Sequence, residues 1–117
     1  MKKTLRVGIA SYEEMKARTI AIAKGERTVG KNDPEIWFLS LESMAKILSA
    51  KNRALLEIIA EEKLSLTDLA ARTGRNKSNL SRTLKTMAQV GLVDLKRENG
   101  KLMSNVPYTA ISLNLPI

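Results

Sequence analysis

The amino-acid sequence predicts an α+β fold, mainly helical. Three observations carry that expectation. Residues 65–92 hold two amphipathic helical stretches separated by Gly74 and Asn76. Residues 92–106 hold two strand-like runs around an Asn99-Gly100 turn signal. Leu5, Val7 and Ile9 alternate with Lys3, Arg6 and Gly8 in rough period two, and a capped helix follows. Two helices, a turn and a basic hairpin in that order are the pattern of a winged helix-turn-helix. The short N-terminal strand–helix element is expected to serve dimerisation.

In chain order, residues 2–10 are the first expected strand. Ser11 is an N-cap, with Glu13 and Glu14 opposing the dipole of a helix that runs to about Ala23. Tyr12, Met15, Thr19 and Ile22 form its expected inner face. Lys24-Gly25 ends it. Residues 25–35, with two Gly, one Pro, one Asn and one Asp, read as an exposed loop. Ile36–Leu39 is a short apolar strand or turn, and Trp37 with Phe38 is expected at the centre of a small core. Ser40 caps a helix with Leu41, Met44, Ala45 and Leu48 on one side. The next helix, roughly Lys51–Glu62, turns Leu55, Leu56 and Ile59 inward. Ser65 and Asp68 form a capping box for the following helix. The next runs from about Lys77 to Val90, capped by Asn76 and stopped by Gly91. Leu92–Lys96 and Leu102–Val106 are the wing strands. The segment Ala110–Leu115 alternates cleanly and is expected to be a further strand, pairing with the N-terminal one. Three segments follow: 1–49 as the N-terminal element, 50–106 as the winged helix-turn-helix, and 107–117 as a C-terminal strand or tail.

Composition narrows the chemistry. The 117 residues include no cysteine and no histidine. Disulfides, zinc fingers, Cys/His nucleophiles and histidine relays are excluded. No catalytic residue, metal site or cofactor is expected, and an enzyme is the least favoured class. The lack of cysteine is compatible with a cytoplasmic protein. The apolar start is interrupted by charge, so no signal-peptide core is expected, and no apolar run is long enough to span a membrane. Hydrophobic residues make up 44% and aromatics 3%, so the core must be built from Leu, Ile, Val, Ala and Met, with Met15, Met44, Met87 and Met103 as fillers.

The net charge is +8, and residues 72–101 carry eight cations against two anions, Asp94 and Glu98. A solvated surface is the bland explanation. A polyanion-binding face fits better, because the cluster falls on the predicted third helix of the winged unit and its wing together. On that helix Leu80, Leu84, Met87 and Ala88 form one apolar stripe. The other side carries Lys77, Ser78, Asn79, Ser81, Arg82, Lys85 and Thr86, with no acid among them. Arg can bind guanine with two hydrogen bonds and Asn can bind adenine likewise. Ser78, Asn79 and Arg82 are therefore the expected base contacts. Arg75, Lys77, Ser81, Lys85 and Thr86 are the expected phosphate contacts, and Lys96, Arg97 and Lys101 the wing contacts. Without an aromatic stacking platform, single-stranded nucleic acid is a weaker candidate.

The run Asn76–Val93 resembles the recognition helix and first wing strand of MarR-like winged-helix regulators. Ser78, Ser81, Arg82 and Leu84 meet a Ser-x-x-Ser-Arg-x-Leu pattern, and Gly91-Leu92 follows it. The resemblance covers roughly residues 50–106. The chain departs from MarR proteins in lacking their long flanking dimerisation helices. The stretches Ile20–Glu26 and Phe38–Ser43 bring it closer to smaller predicted regulators with an N-terminal strand–helix element, some of which look like antitoxins. The resemblance implies DNA binding, and since one such domain reads few base pairs, the expected form is a homodimer on a near-palindromic double-stranded operator, acting as a repressor of its own or a neighbouring operon. The alternative it implies is an antitoxin that neutralises a small protein toxin.

Two other features carry less. Gly25–Gly30 lacks the Gly-Lys-Ser/Thr ending of a phosphate loop. Glu61 and Glu62 are adjacent at a helix end and point different ways, as a solvated pair does.

Overall fold

The computed structural model describes residues 3–115 and 117; Lys2, assigned above to the first strand, lies outside the described residues. The elements are β1 (Thr4–Ile9), α1 (Tyr12–Ala23), β2 (Ile36–Phe38), α2 (Leu41–Ile47), α3 (Ala50–Glu61), α4 (Leu66–Thr73), α5 (Lys77–Gln89), β3 (Asp94–Glu98), β4 (Lys101–Asn105) and β5 (Ala110–Asn114). The fold is α+β and mainly helical, a winged helix-turn-helix with an N-terminal strand–helix element.

Two sheets form. β1 lies between β2 and β5, parallel to both. Its register with β5 runs from Thr4↔Ala110 to Gly8↔Asn114. The expected pairing of the C-terminal strand with the N-terminal one is therefore present. β3 and β4 form the antiparallel wing, closed at Glu98↔Lys101. Asn99 (φ 52°) and Gly100 (φ 76°) supply the two positive φ angles that a two-residue hairpin turn of this hand needs.

One face of the parallel sheet belongs to the winged-helix core. Leu5, Val7 and Phe38 are buried in a single cluster with Leu55, Ile59, Leu69, Leu80, Leu84, Met87, Leu92 and Val93. The sheet's other face carries Gly8 and Trp37, since side chains alternate along a strand. A Cβ at Gly8 would sit 2.6 Å from the Trp37 ring, so this position has room for hydrogen alone. The Arg18 guanidinium of α1 stacks 5.3 Å over the same ring. Arg18 also pairs with Asp33 at 3.0 Å, and Asp33 accepts the Gly30 N–H at 2.8 Å, which fixes the end of the loop between α1 and β2.

Two expectations are corrected here. Trp37 is not at a core centre; only its neighbour Phe38 is buried with the core, because consecutive strand residues face opposite ways. The inner face of α1 is Met15, Arg18, Ala21 and Ile22, not Tyr12, Met15, Thr19 and Ile22. Tyr12 is 73% exposed, and α1 buries no residue fully. Ser11 caps it with a complete capping box: its hydroxyl accepts the Glu14 N–H, and its own N–H donates to the Glu14 carboxylate.

Candidate nucleic-acid interface

The helix pair α4–α5 is built by short-range signals. Ser65 Oγ accepts the Asp68 N–H at 3.2 Å and starts α4. Gly74 ends it at φ 70°, a left-handed conformation in which a Cβ is strained. Asn76 Oδ1 then accepts the N–H groups of Ser78 and Asn79, at 2.9 and 3.2 Å, and starts α5 two residues later. Leu69 from α4 and Leu80, Leu84 and Met87 from α5 fill the angle between the helices. Each such burial contributes about 1.5–3 kcal/mol. The stripe leaves α5 no freedom to roll, so its polar side is held outward.

That side divides in two. Lys77, Ser81 and Lys85, four residues apart, line a cleft of about 400 Å³ between α5 and the wing. Arg97 and Lys101 line it from the wing, and Ser65, Leu66 and Thr67 from the start of α4. No acidic side chain is among the described residues lining it. Four cations thus face one another across a groove with no internal counter-charge, an arrangement that favours an anion between them. Ser78, Asn79, Arg82 and Thr86 lie outside this cleft on the exposed part of α5. The Arg82 guanidinium has no hydrogen-bond or ion-pair partner among the described residues, while the Thr86 hydroxyl donates back to the Arg82 carbonyl at 3.1 Å.

Two predicted residues sit differently from the rest. Arg75 points back into the protein. Its guanidinium donates to Asn52 Oδ1 of α3, Asn79 Oδ1 and Thr83 Oγ1, each at 3.3 Å. It ties the first helix of the winged unit to the turn and to α5. Asn79 consequently has one acceptor position occupied, and it keeps a second lone pair and both amide hydrogens. Lys96 is on the far side of the wing from the cleft, with Lys63, Asp94 and Glu98. Glu98 pairs with Lys63 at 3.1 Å and lies 3.9 Å from Lys96.

Thr67 was missed by sequence reasoning. Its signal was its place two residues after the N-cap Ser65, where a helix start presents both a hydroxyl and unpaired N–H groups. Among the described residues, no group of three or more acidic side chains is placed to hold a metal. No helix of the described residues is long and apolar enough to cross a membrane.

Residues 47–113 match the model of the HVO_A0114 family. The chain belongs to the HVO_A0114 family. The matched region runs from the end of α2 into β5, so it includes the whole helix-turn-helix and wing. No curated protein matches this HVO_A0114-family chain. Among solved structures, it is similar to the homodimeric winged helix-turn-helix DNA-binding domain (fragment 1–100) of Mb0332 from Mycobacterium bovis, described as a possible ArsR-family regulator. The identity is 23%, over 54% of this chain and 59% of that one, with a TM-score of 0.50. HlyU from Vibrio cholerae is similar at 22% identity, over 56% of this chain and 73% of that one, also at 0.50. The chain spans about three-fifths of the Mb0332 fragment. Both likenesses show the winged helix-turn-helix fold.

The MarR resemblance reduces to this shared fold and does not reach the family. The reason is physical. Leu84 is core, Gly91 (φ 90°) ends α5, and Ser81 sits where the wing approaches. Most of the pattern is what any such helix and wing require.

Proposed function

We propose that this chain is a sequence-specific regulator of transcription that binds double-stranded DNA as a homodimer. The observation that carries the proposal is the continuity of the acid-free cleft, lined by Lys77, Lys85, Arg97 and Lys101, with the exposed face of α5 that displays Ser78, Asn79 and Arg82. A helix laid in a major groove meets bases along one side and phosphates along its flanks. On this reading Arg82 and Ser78 meet base edges, with Asn79 beside them. Lys77, Ser81, Lys85 and Thr86 hold the flanking phosphates, and Arg97 and Lys101 follow the backbone from the wing. Arg75 positions Asn79 rather than reaching the DNA itself.

One such unit reads few base pairs, so useful specificity calls for two. The similarity to Mb0332, whose domain is described as homodimeric and DNA-binding, supports the same expectation here. The operator would be near-palindromic, with half-sites about one helical turn, ~34–36 Å, apart. A dimer seated there would exclude polymerase, and repression of its own or a neighbouring operon is the favoured outcome.

The test is a selection of genomic fragments on the purified protein, read by sequencing. A palindromic motif with one-turn spacing supports the proposal. Retention of all fragments alike overturns sequence specificity, and no retention at moderate salt overturns DNA binding.

A further inference from the structure

The parallel sheet has two open edges of unequal character. The β2 edge is three residues long. The β5 edge is five, Ala110–Asn114, and its sequence Ala-Ile-Ser-Leu-Asn has neither charge nor proline. Exposed edges in soluble proteins are normally blunted by charge, proline, a bulge or a covering element. The wing follows that rule with Lys96, Arg97 and Lys101. β5 does not.

The face of β5 is also unfinished. Its register with β1 sets Ile111 beside Leu5 and Leu113 beside Val7, on the core side of the sheet. Leu5 and Val7 are 0% exposed, whereas Ile111 and Leu113 are each 38% exposed and Leu115 is 49% exposed. Next to them is a groove of about 420 Å³, with Leu56, Ala60, Val106, Tyr108 and Ile111 among its lining.

We propose that two copies of this chain join through β5, antiparallel about a two-fold axis at Ser112, so that two three-stranded sheets become one of six. The inference rests on the dimeric reading above and gives it a seam. Residues opposite one another in an antiparallel pair share a face. Setting Ser112 against itself places Ile111 opposite Leu113 of the partner subunit. The row Leu5–Ile111 then continues into the partner subunit's Leu113 and the partner subunit's Val7 without a polar interruption. This register uses all five strand residues. A one-residue slip sets Ile111 against Ser112 or Asn114 and breaks the apolar row. One pair further along, Leu115 of the partner subunit meets Thr109, which lines the groove. Each copy thus offers both an apolar side chain and the hollow that receives it, as a self-complementary two-fold contact requires. Electrostatics agree. The chain carries +8, but the cations concentrate at residues 72–101, and the strand that would meet its own copy carries none. Of the segments expected from sequence to dimerise, 2–23 and 36–49, the second offers the shorter, three-residue β2 edge, and their exposed apolar side chains Tyr12, Ile20, Leu39 and Leu41 lie outside the strands.

The chain contains no cysteine, so Ser112→Cys introduces a single thiol. In the proposed register its two copies have Cα atoms ~4.5–5.5 Å apart, within disulfide reach. Mild oxidation with diamide should convert most of the protein to a covalent dimer on non-reducing gels. Tyr12→Cys, on exposed α1, should stay monomeric under the same conditions. No cross-link at position 112, or efficient cross-linking at position 12 instead, overturns the seam. Leu113→Lys should shift sedimentation from dimer to monomer while circular dichroism shows a folded chain; a folded variant that stays dimeric overturns it too. A wild-type monomer that binds DNA sinks the seam and leaves the DNA reading standing. A cross-linked Ser112→Cys dimer that ignores DNA does the reverse.

Discussion

Arg75→Ala separates two roles that the sequence alone would not distinguish. If Arg75 contacts a phosphate, its loss removes one counterion-releasing contact, and the slope of log K against log salt falls by about 0.9. If it braces the helix-turn-helix, the loss is in stability. The structure gives three donated hydrogen bonds, all 3.3 Å long, to Asn52, Asn79 and Thr83. Bonds this long and partly hydrated contribute less than a short charge-assisted bond, about 0.5–1 kcal/mol each, so the sum is about 1.5–3 kcal/mol. At about 4 °C per kcal/mol for a domain of this size, Tm should fall by roughly 6–12 °C. The Nε of Arg75 is buried without a partner, so removing it returns part of that loss and favours the lower end. Urea denaturation gives the stability, and fluorescence anisotropy on the selected operator across a salt series gives the slope. An unchanged urea midpoint with a shallower slope would refute the bracing role and restore Arg75 as a phosphate ligand.

Four further outcomes follow from the same geometry. Arg97→Ala with Lys101→Ala should lower the salt slope by about 1.8 while Lys96→Ala leaves it near wild type; equal effects from all three in the anisotropy series would mean that the cleft is not where DNA runs. Arg82→Ala should cost about 1–3 kcal/mol on the operator and relax preference at one position, and a uniform loss across shuffled duplexes would make Arg82 a phosphate contact. Leu84→Ala, at 1% exposure, should cost about 2–5 kcal/mol in urea, and a cost under 1 kcal/mol would mean that α5 is not packed as described. The Ser11 N–H and hydroxyl hold the Glu14 carboxyl below its ordinary value. A depressed folded-state value gives a contribution that is complete above the unfolded value and lost as pH falls through the folded one. Protection of the α1 amides, taken relative to the intrinsic exchange rate at each pH, should therefore fall on acidification, more so in wild type than in Glu14→Gln, and an equal response in both would remove Glu14 from the cap.

The helix-turn-helix was legible because its determinants are local. Ser65, Gly74 and Asn76 act within three residues of themselves, and the Leu80–Leu84–Met87 stripe states its own period. The hairpin was legible for the same reason at Asn99-Gly100. What was not legible depended on partners far along the chain or on too little pattern. β2 has three residues, too few to show which of Trp37 and Phe38 faces the core. α1 carries Ala17, Ala21 and Ala23 as well as Tyr12, Met15, Ile20 and Ile22, which spreads apolar residues around most of its circumference, so no stripe marks its inner side. Arg75 looked like any exposed cation beside a recognition helix, and its partner Asn52 is 23 residues away. Alternation in Ala110–Leu115 announced a strand, but parallel orientation became visible only in the register with β1.

The register Thr4↔Ala110 also sets an order of events during synthesis. β1 precedes the other elements and the strand that completes its far side follows them, so β1 is made well before β5. Until β5 is made, β1 can have β2 beside it and nothing on its other flank. Non-local closure of this kind is slow compared with helix formation, so α3, α4 and α5 can be in place while the sheet still waits. A product that stops before Ala110 would retain its recognition helix but lack both the last strand and the surface proposed to join two copies. On the proposed seam, such a product could not pair with a copy that carries β5.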